Sequence, residues 1–297
     1  MIVNRANLND MFRGFQLLFG DAFATAASQY QRVAMTVPSM TSEEKYAWLG
    51  KMPRFREWVG DRVFNSLRTS DFTIKNKKWE QSVEVDRVDI EDDKFGIYSP
   101  LLQNMGAEAK THPDDLVFSL IASGFNSICY DGQFFFDTDH PVELADGSMT
   151  TWSNFGGGAG TAWYLLDVRK PIKPFIFQDR KPYKLVAMQD DQDEAVFTRD
   201  VFRYGVDARN NVGFGLPQLA YASKQTLDVA SYSAARAAMG SLKGDKGKPL
   251  ALQGTLLLVP PTLERAAMEI IVAQRGVNGA DNVMAGTAEV MVSPWLA

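Results

Sequence analysis

The sequence predicts an α+β fold with one extended element reaching away from its body, on three observations. Residues 72–86 alternate with period two, setting Phe72, Ile74, Val83 and Val85 against Lys75, Glu84 and Asp86. Residues 99–123 carry apolar side chains at helical spacing behind a Ser-Pro start. Short strand-like runs from 161 to 215 then give way to a strand–helix unit, GTLLLV followed by LERAAMEII.

Leu8, Met11, Phe12, Phe15, Leu18 and Phe19 recur at helical spacing, so residues near 7–19 form an amphipathic helix. It packs on its own domain or docks as an arm on a neighbouring subunit. Residues 41–60 read as a helix started by Ser42, Glu43 and Glu44, with Gly50 and Pro53 near its end. A protruding β-ribbon is expected over about 62–90, turning at Asn76-Lys77-Lys78. Its surface is largely polar, and a two-stranded ribbon is marginal alone in water. Another copy of the chain would supply the missing cover.

The acidic run Glu84, Asp86, Asp89, Glu91, Asp92 and Asp93 reads as a solvated face, or as a partner for Lys75, Lys77 and Lys78 of another subunit. Pro113 interrupts or kinks the helix expected over 99–123, with Asp114 and Asp115 in the turn after it. Residues 143–161, rich in Gly, Ser and Thr, read as a loop. KPFIFQ and YKLVAM read as separate strands, and Val196 to Gly215 as a strand pair turning at Asn210-Asn211. An Ala-rich helix from Ser231 to Met239, a buried strand at 254–259 and a helix from Leu263 to Ile271 complete an α/β lobe.

The chain has 297 residues, a net charge of -5, and 45% hydrophobic content, which argues for a folded protein and against a surface dedicated to gripping nucleic acid. Its single cysteine, Cys129, excludes an internal disulfide and any multi-cysteine metal site. With no long apolar run and no clean secretory signal, the protein is expected to be soluble and not exported.

Catalytic signals are weak. Asp137, Asp139 and His140 could hold a metal in a soluble metal-dependent hydrolase, but a turn explains the cluster more simply. The glycines at 156–160 lack the Lys-Ser or Lys-Thr of a phosphate-binding loop. The basic residues 169–184, interleaved with Phe175, Phe177 and Tyr183, read as a sheet on a core rather than a single-strand binding face. No enzyme activity and no cofactor are expected.

Several long motifs carry a resemblance: REWVGDR, TIKNKKWEQSVEVDRVDIEDDKFGIYSPL, HPDDLVF, CYDGQFFFDTDHP, KPFIFQDRKP and FRYGVDARNNVGFG. Together they resemble the major head subunit, or T protein, of Mu-like phages and prophages. The resemblance implies the Hong Kong 97 phage coat fold. Its parts would be an N-terminal arm (1–40), a linker helix and E-loop ribbon (41–95), a peripheral domain (96–220) with a spine helix near 99–123, and a mainly axial domain (221–297). It further implies pentamers and hexamers closing an icosahedral head around double-stranded DNA, assembled in the bacterial cytoplasm. A scaffold, a portal and a decoration protein would be partners, with no membrane. The contact residues expected between subunits are Phe72, Ile74, Trp79 and Val83, the basic Lys75, Lys77 and Lys78, and Phe12 and Phe15 of the arm.

Overall fold

Helix periodicity and strand alternation resolve into two sheets sharing one aromatic core, in a computed structural model that describes residues 4–50, 72–92, 94–144, 146–190, 192–275 and 279–297. From the N-terminus, α1 (Arg5–Thr25) and α2 (Tyr30–Val33) lead into β1 (Ala34–Pro38) and β2 (Glu43–Lys45). Beyond residues 51–71, β3 (Thr73–Lys75) and β4 (Lys77–Asp86) precede α3 (Arg87–Glu91) and the long α4 (Ser99–Ser123). A pair, β5 (His140–Glu143) and β6 (Met149–Trp152), is followed by β7 (Phe155–Gly158), β8 (Trp163–Leu166) and β9 (Phe175–Met188). Then come α5 (Glu194–Arg199), β10 (Val201–Phe214), β11 (Ala220–Lys224), α6 (Val229–Ser241), β12 (Leu256–Val259), α7 (Glu264–Ile271) and β13 (Glu289–Val292).

The first sheet runs β1-β9-β10-β4 and the second β13-β12-β8-β11-β7, while β2–β3 and β5–β6 form separate pairs. Phe135 stacks on Phe214 of the first sheet with ring centroids 4.5 Å apart, and Phe136 meets Tyr164 of the second at 5.4 Å. Val117, Phe118 and Ile121 of α4 close the same core. No described helix is long and apolar enough to cross a membrane.

α4 spans the expected residues and continues through Pro113. α1 packs along it rather than reaching away, burying Leu8, Phe15 and Phe19. The two helices approach closely at Gly106, where a Cβ would lie 2.4 Å from the Phe19 carbonyl oxygen. Gly106→Val therefore forces the helices apart and should cost about 1–3 kcal/mol of stability. Gly14→Ala, facing open space in α1, should instead gain up to about 1 kcal/mol. Thermal denaturation of the two variants, side by side, checks the contrast.

Several local expectations need correction. Residues 43–45 form a strand, not a helix start: the Glu44 carboxylate accepts from the backbone N–H of Met40 and Thr41 and from Ser39 Oγ. Those bonds, the Met40 N–H foremost, lower its pKa to about 2 and fix a turn. The ribbon expected over 62–90 lies outside the described residues from 62 to 71. Its remainder is no free hairpin, because β3 pairs with β2 and β4 pairs along β10.

The Asn210-Asn211 turn is absent. β10 runs straight through it, since Asn210 Nδ2 donates to Tyr183 Oη and Asn211 Nδ2 to the Lys75 carbonyl. β9 is likewise one strand, its register shifting opposite β10 around Pro182, which has no N–H to give the ladder. Finally, the strands between 161 and 215 do not belong to a single sheet, since β8 lies in the second one. The loop expected at 143–161 contains β5–β6 and β7; Gly158, at φ +96, lies so close to the Lys224–Gln225 backbone that a side chain would collide with it.

Candidate assembly surface

His140 is brought together not with Asp137 and Asp139 but with Cys129 and Asp131. Asp137 is occupied locally, accepting from the N–H of Phe134 and Thr138. Asn154 Nδ2 donates to the carbonyls of Phe135 and Pro217, which turns its Oδ1 toward His140 Nε2 at 3.2 Å. That nitrogen must then carry a proton. Nδ1 faces Asp131 Oδ2 at 2.7 Å, so a hydrogen bond joins the ring to the carboxyl group.

Burial alone would raise the Asp131 carboxyl, but hydrogen bonds from His140 and Cys129 hold it below the usual range. The Cys129 Sγ lies 3.0 Å from Asp131 Oδ1. Donors around a tetrahedral metal would sit about 3.3–3.5 Å apart given metal–ligand bonds of about 2.0–2.3 Å. Asp131 lies closer than that to both His140 and Cys129, within direct hydrogen-bond reach. The cluster is a buried staple at the foot of β5–β6, reinforced by Trp152 stacked on His140 at 4.5 Å. Burial pushes the Cys129 thiol well up, so it should resist a thiol reagent at pH 8 in the native protein and react fully once unfolded.

The expected contact residues divide. Ile74 is 3% exposed and Phe15 2%, and both serve this chain's own core. Phe72 and Val83 pack partly buried against it, and Phe12 stacks on Tyr204. Phe72→Asp would therefore disturb this chain's own packing. Lys75, Lys77 and Lys78 are exposed. The acidic run is not left for them: Glu84 pairs with Arg203 and Arg199, Glu91 with Arg87, and Tyr98 Oη donates to Asp89. Asp93 lies outside the described residues.

Trp79 has a different setting. It forms one wall of a cavity of about 470 Å³ between β4 and α4, with Tyr183 of β9 and Trp295 near the C-terminus. His112 lies edge-on to Trp79 at 4.7 Å, and its Nδ1 is 2.6 Å from Tyr183 Oη. Tyr183 Oη also accepts from Asn210 Nδ2, and burial lowers the His112 pKa. Glu80, Glu108 and Asp115 also line the cavity. Only Trp79 was legible beforehand, since the walls come from β4, α4, β9 and the far C-terminus.

A long helix against a four-stranded sheet, beside a second sheet with its own helices, is the architecture of a phage coat subunit. The family model for the Mu-like prophage major head subunit gpT matches residues 8–296, and the chain belongs to that family. It is 44% identical over 268 residues to the Mu-like prophage FluMu major head subunit of Haemophilus influenzae, covering 88% of this chain and 87% of that one. It is 37% identical to the major capsid protein of Escherichia phage Mu, covering 100% of both. Among solved structures, the procapsid of bacteriophage JBD30 matches with a TM-score of 0.89 and 44% identity over 99% of this chain and 100% of that one. The JBD30 capsid matches with a TM-score of 0.78 and 33% identity over 100% of both.

The fold is therefore the Hong Kong 97-like phage coat fold, and the protein is a major capsid protein whose copies build the capsid shell of a Mu-like phage. Its role is structural, not catalytic, and the hydrolase alternative has no support.

Proposed function

We propose that this subunit closes into pentamers and hexamers and then into an icosahedral head around double-stranded DNA, using residues 51–71 as the element that reaches a neighbour. The supporting observation is the β2–β3 pair, in which Lys45 faces Thr73. Two strands that flank residues 51–71 in sequence are thus paired, and 21 residues doubled back on themselves would reach about 33 Å. This is the E-loop role, moved from 62–90 toward the N-terminus. We assign α4 and the first sheet to the peripheral domain and the second sheet with α6 and α7 to the axial domain, so the chain enters the axial part twice. Residues 5–25 of the arm then lie against their own spine helix.

The higher similarity to a procapsid than to a capsid of the same phage supports a precursor-shell conformation for the subunit as described. The JBD30 capsid is decorated with minor capsid protein trimers, and an equivalent decoration protein, a scaffold and a portal complete the proposed set of partners in the host cytoplasm. Expressing the chain with and without its scaffold, and imaging the high-mass fraction by negative-stain electron microscopy, tests the reading. Closed shells or five- and six-membered rings are expected. A strictly monomeric product in both conditions would contradict it.

A further inference from the structure

The cavity between β4 and α4 combines features that a filler of core space does not need. Trp79, Tyr183 and Trp295 supply aromatic walls, and Glu80, Glu108 and Asp115 stand around them. Among the described residues none of the three carboxylates pairs with a Lys or Arg. Each is met only by neutral donors: Ser82 Oγ on Glu80, the Gln81 and Asn104 amides on Glu108, and Ser119 Oγ on Asp115. Aromatic faces and uncompensated carboxylates together recognise a cation, above all a guanidinium, which stacks on a ring while its N–H groups fork onto a carboxylate.

We propose that this cleft seats a cationic side chain from residues 51–71 of a neighbouring copy of the chain. The inference rests on the assembly reading above and names the receiving surface for it. Residues 51–71 carry Lys51, Arg54, Arg56, Arg62 and Arg68 against Glu57, Asp61 and Asp71, five cations to three carboxylates in a chain whose net charge is -5. In a closed ring a heterologous contact joins different patches of adjacent subunits, so this segment of one copy can meet the cleft of the next.

The test is a charge exchange in the full chain, scored as shell yield by sedimentation and microscopy. E108K/D115K alters two exposed side chains of α4 and should fold like the wild type while shell yield falls at least tenfold. R54E/R56E should fall likewise, and the chain carrying all four changes should recover shells. A photo-crosslinker at position 108, in shells grown from mixed heavy- and light-isotope chains, should join position 108 of one chain to residues 51–71 of another. Wild-type yield from E108K/D115K, crosslinks only within one chain, or crosslinks to a different protein would overturn the cleft's role. Failure of the wild-type chain to form shells even with its scaffold would instead sink the assembly reading.

Discussion

His140→Leu should be among the most destabilising single substitutions in this chain. It removes the imidazole from a buried site and leaves the Asp131 carboxylate facing apolar surroundings, a loss of about 3–5 kcal/mol for a broken buried pair. Asn154 Oδ1 loses a donor at the same time. The pH dependence should change too. Asp131 is held below its unfolded value, so its contribution is present above about pH 4 and disappears as pH falls through the lower folded value. Denaturant midpoints from pH 3 to 7 should therefore show wild-type stability falling steeply on acidification and the variant falling less. A variant as stable as the wild type would mean that the staple contributes nothing.

Asp114→Ala should have an effect of similar size by another route. Asp114 is 0% exposed on α4, and its Oδ1 accepts from Ser28 Oγ and from the backbone N–H of Gln29 and Tyr30 at 3.0, 2.8 and 2.6 Å. The carboxyl thereby tethers the chain between α1 and α2 to the spine helix. Deleting it strands two backbone donors, at about 1–3 kcal/mol for each that stays buried. Burial raises the Asp114 carboxyl in spite of those bonds, so its charged form is the costly one. The sign is opposite to that of Asp131: this contribution is full at low pH and shrinks as pH rises through the raised folded value. Asp114→Asn keeps an acceptor without the charge and should lose less than half of what Asp114→Ala loses at pH 7. Equal losses in the two variants would contradict the tether.

These two anchors show what the sequence displayed and what it withheld. α4, α6 and α7 were legible because helical periodicity is local, and β12 because an apolar run stopped by Pro260-Pro261 is unambiguous. Strand partners were not. β4 alternates as an exposed hairpin would, but its partner lies beyond residue 200, and alternation does not say which strand a strand will meet. Asn210-Asn211 looked like a turn because side-chain bonds to Tyr183 and Lys75, both distant in sequence, are what hold it extended. The β5–β6 pair had a visible signal, the Asp146-Gly147 step between two short runs, which the surrounding Gly, Ser and Thr residues masked. The family, by contrast, was carried by long motifs, and the assembly role followed from it.

A near-atomic electron cryomicroscopy map of shells grown from this chain should show α4 packed on the first sheet, with density for residues 51–71 crossing to an adjacent subunit and a basic side chain between Trp79 and Glu108. Density for residues 51–71 folded back onto its own subunit, with the cleft vacant at the contact between copies, would contradict the proposed contact.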